Sequence, residues 1–449
     1  MAADSDPGQR MTRGRKALVW VGRALAGLFV LAVVGWVVAD VVYGHLLNVR
    51  LAELRRAGEP LTVEEVLGPE PPTAENAAPI YTAALGIDVT RFHEPHSLTL
   101  GSLNEKQVQV LFKFAYAGGD PAPVQAVMRT AEVREWLLRL RQATERPHCR
   151  FPLVWRQGVR ETDQFTYPMS VAATLPLSQA RLELRENHQA AAVGWLICAM
   201  RMARHLGEQQ DVKAYLDMTQ LYFDVRRVAA STMQDADLTP ELTSTLREEL
   251  RATDVSALAH QTLLESRAKT LQGFAFLENP LSHREMRGSG HLPRANYEAV
   301  LLQPFFKAQA LYTVAHFQEL FQEAQTTVLL HHGTFVPRGF GGLDVLGWMS
   351  ALNASRVLQY KRRLVAVSSM FSVALALNDY HYAHHAYPDA LGALGAALPL
   401  DPFSGKPFCY RRAGAGYVLY SVGENGVDDG GRPRKSGEGV AAGDLLWGN

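Results

Sequence analysis

Hydrophobic and polar positions alternate along this chain mostly with a helical period. The longest apolar run, residues 24–43, is broken only by Asp40 near its far end. As a helix rising ~1.5 Å per residue, it spans about 30 Å, the hydrocarbon core of a bilayer. Arg10, Arg13, Arg15, Lys16 and Arg23 precede it; Arg50, Arg55 and Arg56 follow. That bias predicts a cytoplasmic N-terminus, a single-pass anchor in the cytoplasmic membrane and an extracytoplasmic (periplasmic) bulk. The competing expectation is a signal peptide cut near Val37, Val38 and Ala39, with residues 13–16 as its charged region. The apolar run is long for a leader, and the helical pattern continues through residues 46–58, so an uncleaved anchor is preferred.

Beyond the anchor, Thr62 with Glu64 and Glu65 predicts a short capped helix ended by Gly68. Pro69, Pro71 and Pro72 form a stiff connector. Thr73 is expected to cap a helix through Ala77, Ile80, Tyr81 and Leu85. Asp120 and Pro121 open another that runs to about Thr144, and Thr239, Pro240 and Glu241 repeat the device. Apolar residues three and four apart fill residues 175–205 and 212–233, and only residues 150–166 look irregular. Residues 181–191 resemble a tetratricopeptide-type turn, but no 34-residue period accompanies them, so they read as plain helix packing. Short links between helices predict antiparallel hairpins stacked as a bundle or short solenoid.

The tail changes character. A long helix over residues 355–382 stops at Pro388, and residues 391–400 form a short helical or turn segment. Asp401 and Pro402 begin a turn with Gly405 at its corner. Residues 408–411 and 417–422 read as strands joined through Gly414 and Gly416. The predicted fold is therefore mostly α, with a single transmembrane helix and a small α+β C-terminal module. Its divisions are a basic cytoplasmic tail (1–23), the anchor (24–43), a linker with short helices (44–72), a helical domain (73–350) and the C-terminal module (351–449).

Composition adds little to the picture. The 449 residues are 47% apolar and 20% charged, with 45 basic residues against 45 acidic ones. No global field favours nucleic acid. Cys149, Cys198 and Cys409 are an odd number without metal-ligand spacing. Cys198 reads as a buried thiol in an apolar helix, and a Cys149–Cys198 disulfide stays open for an extracytoplasmic domain. Glu278, His283, Glu285, Ser289 and His291 share a polar loop holding the residue types a hydrolase needs. No nucleophile elbow, Ser-x-x-Lys or His-Glu-x-x-His accompanies them, so a solvated loop is preferred and a hydrolase-type enzyme is the alternative. His331 and His332 are adjacent and point different ways on a helix. His381, His384 and His385 share a face but lack a carboxylate there unless Asp389 folds back.

The tail motifs are Tyr387-Pro388, Asp401-Pro402-Phe403, Ser421-Val422-Gly423-Glu424-Asn425-Gly426, Gly430-Gly431, Asp444 and Trp447. In that order they resemble the C-terminal half of the major pseudopilin of type II secretion systems. The resemblance implies a helix leading into two or three strands and a loop that binds Ca²⁺, here through Asn425, Asp428, Asp429 and Asp444. Calcium takes six to eight oxygens, mixing carboxylates and carbonyls. The chain departs from the family in several ways: it lacks a prepilin-peptidase site directly before its apolar helix, Asn425 stands where the family has Asp, the Asp-Pro turn has one extra residue, and the Asp444-to-Trp447 spacing is shorter by one. Arg432, Arg434 and Lys435 sit inside the loop and oppose cation binding. A borrowed module therefore fits better than a filament subunit. The chain as a whole is similar to large membrane-anchored proteins of planctomycete-type bacteria, an impression supported by Glu75-Asn76-Ala77-Ala78 after the proline-rich linker. No catalytic or cofactor-binding residues are implied. The expectation is a structural or interaction protein with partners in the envelope, linked to secretion or envelope assembly.

Overall fold

The computed structural model describes residues 7–87, 103–156, 159–235, 237–278, 296–325, 345–395, 397–433 and 443–448. Helix α1, Pro7–Arg56, is 50 residues without a break. Among the described residues it is the one helix long and apolar enough to cross a membrane. Its large apolar side chains from Leu18 to Val42 are exposed except Trp36, which is partly covered, and only Leu54, near its end, is buried with Leu61 and Val314.

Helix α2, Val63–Leu67, has the expected start: the Thr62 side chain accepts from the Glu65 N–H while Glu65 reaches back to the Thr62 backbone. Helix α3, Ala78–Leu85, begins later than Thr73 suggested. The Asn76 carboxamide oxygen accepts from Ala78 N at 3.0 Å and from Arg150 N at 2.9 Å, so Asn76, not Thr73, ties down this start. Helix α4 is Glu105–Ala117. The single helix expected after Asp120 is two, α5 (Ala122–Met128) and α6 (Ala131–Thr144). The break lies at Arg129 and Thr130, where the Thr130 hydroxyl accepts from Val133 N and caps α6.

The irregular stretch holds a small hairpin, β1 (Val154–Arg156) with β2 (Val159–Glu161). Then come α7 (Asp163–Ala172), α8 (Thr174–Arg185), α9 (Gln189–Gly207), α10 (Val212–Asp235), α11 (Pro240–Arg251), α12 (Val255–Glu278), α13 (Asn296–Gln325) and α14 (Val345–His384). The α8–α9 corner turns at Asn187, whose φ of 61° is left-handed, a conformation asparagine tolerates. Helix α10 packs against α4, α7, α8, α9, α12 and α14. A solenoid restricts each helix to its neighbours in the stack, so this arrangement is a bundle around α10. At Gly207 the α9–α10 approach leaves no room for a side chain: a Cβ there would lie 2.5 Å from the Met218 sulfur.

The C-terminal strands β3 (Cys409–Ala413), β4 (Gly416–Ser421) and β5 (Leu445–Leu446) form an antiparallel sheet in that order. Gly414, with φ 60°, takes the first central position of the two-residue β3–β4 turn, as a type II′ turn requires. The sheet does not stand apart from the helices. One buried apolar cluster runs from Ala77 through α9, α10 and α14 to Phe408, Leu419 and Trp447. The Trp447 ring lies 5.0 Å from that of Phe371, and Arg226 of α10 donates to the Leu446 carbonyl.

Candidate functional site

The four proposed calcium ligands lie on one loop, and its glycine-rich sequence explains its path. Gly423 has φ 68°, and a Cβ on it would sit 2.8 Å from the Gly443 carbonyl oxygen, so the two loop ends cross where only glycine fits. Asn425 donates from Nδ2 to Asp429 Oδ2 at 3.0 Å and accepts from Val427 N at 3.1 Å. Asp444 is buried; its Oδ1 accepts from Asp429 N at 3.3 Å and its Oδ2 from Gly431 N at 2.8 Å. Asn425, Asp429 and Asp444 thus belong to one hydrogen-bonded chain. Asp428 does not join it. Its carboxylate accepts from Gly430 N at 2.9 Å and from the Tyr420 hydroxyl at 2.8 Å, and these two donors hold it below the ordinary carboxylate range. The loop uses its carboxylates first as acceptors for its own N–H groups.

Asp401 anchors the neighbouring turn more deeply than its place in an Asp-Pro motif suggested. It is 1% exposed. Its oxygens accept from Phe403 N at 3.0 Å, the Ser421 hydroxyl at 2.8 Å, the Ser404 hydroxyl at 3.2 Å and Val422 N at 3.2 Å. This clips the turn to β4. Beside it, Arg363 of α14 holds Glu424 through Nε at 2.6 Å.

The histidines of α14 do not converge. His381 Nδ1 is 2.7 Å from Asp237, a carboxylate from the α10–α11 link rather than Asp389. The His384 ring lies tilted against that of Tyr380, centroids 4.2 Å apart, and Asp389 pairs with Arg412 at 2.8 Å. Among the described residues, the only three metal-capable side chains within reach of one point are Glu183, Glu186 and His188 at the α8–α9 corner, an open surface cluster. His283, Glu285, Ser289, His291, His331 and His332 lie outside the described residues, as does the side chain of Glu278.

The densest charge is inside the bundle, and sequence reasoning did not find it. Arg160 of β2 donates to Glu265 of α12 at 3.0 Å and to the Gln209 carbonyl at 3.0 Å. Lys269, one turn along α12, pairs with Asp211 at 2.9 Å. Asp211 also accepts from Thr162 at 3.0 Å and from Lys213 N at 2.9 Å, so it caps α10 while serving as a counter-ion. Burial pushes the Asp211 carboxyl up, but Lys269 and Arg160 outweigh it and hold it at about 2. Burial also raises Glu265, whose second oxygen has no hydrogen-bond partner. Next to this centre, Gln209 donates to the Cys149 and His205 carbonyls at 2.6 and 2.9 Å. His205 lies within 3.1 Å of the Arg146 carbonyl through Nε2 and 3.0 Å of the Tyr81 hydroxyl through Nδ1. Because a carbonyl only accepts, Nε2 carries the proton and Nδ1 accepts from Tyr81. Cys149 and Cys198 are separate buried free thiols; burial raises both. These groups staple residues 148–162 to the α9–α10 turn and to α12.

Compared with known families, curated proteins and solved structures, the chain matches none.

Proposed function

We propose that the protein is a membrane-anchored structural or interaction protein of the cell envelope, held at the cytoplasmic membrane by α1 with its helical body outside. The observation that carries this reading is the change of environment along α1. Its apolar residues are exposed over five turns and more, and the same unbroken helix then enters the body through Leu54. Apolar surface of that extent calls for an apolar solvent, and a helix that satisfies its own backbone can enter one. The buried polar groups of the body engage one another, which suits a rigid scaffold for envelope partners. The test is topology: full-length protein with epitopes at both ends should resist alkaline carbonate extraction. Protease added to spheroplasts should remove the C-terminal epitope and spare the one at Met1. A protected C-terminal epitope would place the body in the cytoplasm and overturn the reading.

The link to secretion or envelope assembly rests on the pseudopilin resemblance of the tail motifs. So does Ca²⁺ at the C-terminal loop, where Asn425, Asp429 and Asp444 are linked by hydrogen bonds in one chain. A ligand that binds only the folded state stabilises it by RT ln(1 + [L]/Kd), about 2.7 kcal/mol at a hundredfold excess over Kd. Full-length protein should therefore melt higher in millimolar calcium than in EDTA. Asp429→Ala should abolish the difference, whereas Asp428→Ala, whose carboxylate faces Tyr420, should retain it. Identical melting in EDTA and calcium would leave the loop a self-closed turn.

A further inference from the structure

We propose that residues 302–306 of α13 form a second membrane-contacting element, lying at the depth of the outer leaflet alongside α1. The inference rests on the anchor reading and adds a surface to it.

The two helices run parallel. Lys307 Nζ is 2.7 Å from Asp40, and the Lys307 stem covers Gly44, where a Cβ would lie 3.6 Å from it. Further along, Arg50 bonds Gln318 and Leu54 shares a buried cluster with Val314. Residue numbers on α1 and α13 thus rise together. From Lys307 back to Leu302 the helix extends about 8 Å at ~1.5 Å per residue. That extension runs beside α1 residues preceding Asp40. The burial of α1 agrees: its described side chains are exposed before Trp36, and partial cover begins at Trp36, Ala39 and Asp40.

If residues 24–43 fill the hydrocarbon thickness, residues 302–306 lie at the depth of the outer leaflet. Their sequence suits that depth: it reads Leu-Gln-Pro-Phe-Phe, with one polar side chain. Leu302 is 44% exposed on the described surface, and Phe305 and Phe306 lie half-buried beside it. The proposal also accounts for the one charge in the apolar run. Asp40 and Lys307 are each 21% exposed and neutralise each other where a lone charge is costly. In water the same pair would contribute little.

The test uses full-length protein in vesicles of phosphatidylethanolamine and phosphatidylglycerol. A nitroxide is placed through Leu302→Cys in a Cys409→Ser background, since Cys149 and Cys198 are buried. Reference labels go on Leu31→Cys in the middle of the span and Glu186→Cys on the body. Collision with dissolved oxygen, which concentrates in lipid, is compared with collision with a water-soluble nickel chelate. The expected oxygen-to-chelate ratio at 302 is several-fold above that at 186 and below that at 31. A ratio at 302 equal to that at 186, with 31 still in lipid, overturns the membrane contact of α13 alone. Water-like behaviour at 31 as well overturns the anchor reading and this inference with it.

Discussion

Helices α1 and α9 are both rich in apolar residues, yet they meet opposite surroundings. In α9, Val193, Leu196, Ala199, Met200, Met202, Ala203 and Leu206 are buried against neighbouring helices. In α1, Leu25, Leu28, Phe29, Leu31 and Val34 are exposed. The difference lies in what shares each helix. Helix α9 interleaves its apolar stripe with Arg201, Arg204 and His205, which find Glu249, Arg146 and Tyr81 around it. Helix α1 is apolar all round over residues 24–39 and offers no polar face for water. Hydrophobic content alone therefore does not distinguish a core helix from an anchor; the distribution of content around the helix does.

A matched pair of leucine truncations tests that comparison with the largest expected effect. Leu196→Ala opens a cavity in a close-packed core and should cost about 2–5 kcal/mol in denaturant unfolding of detergent-solubilised full-length protein. Leu31→Ala removes the same atoms from an exposed stretch of α1 and should leave that transition unchanged. Equal costs would mean that the upper part of α1 packs in the folded body after all.

A smaller effect separates the two helices by pH. His205 ends the buried stripe of α9, and burial, its largest influence, lowers it from 6.5 to about 3. The unfolded chain takes up a proton below pH 6.5 that the folded chain refuses until about pH 3. Stability from this group is therefore complete above pH 6.5 and is lost as pH falls toward 3, by about 2–3 kcal/mol at pH 4.5. His205→Gln should flatten the decline in melting temperature between pH 6.5 and 4.5, and an unchanged slope would show that other groups govern it.

What was readable in the sequence follows the same division between local and distant causes. The long apolar helix at the N-terminus, the Thr62 capping box, α10 and the β3–β4 hairpin are encoded locally, and each was legible. The start of α3 was misplaced because Asn76 is held by Arg150, a partner 74 positions away. The α5–α6 break depended on whether Thr130 would cap or continue a helix, a choice settled by packing. The two-residue β5 is too short to carry a pattern. The buried centre of Arg160, Asp211, Glu265 and Lys269 joins a hairpin, a helix cap and α12, so no local spacing announces it. One signal was available: Glu265 and Lys269 stand one turn apart on α12, an acid–base pair at helical spacing. The loop aspartates were placed on one loop by their motif, but their sorting, with Asp444 buried and Asp428 facing Tyr420, came from the crossing at Gly423 and from β5.

The central claim is that α1 remains attached, anchoring the body while packing against it. The most direct measurement is the intact mass and N-terminal sequence of the protein recovered from the membrane fraction of its cells. The account predicts a species that retains the whole of α1 and appears in that fraction alone. A soluble mature species beginning near Asp40 would contradict it, because the exposed apolar run would then be a leader removed on export.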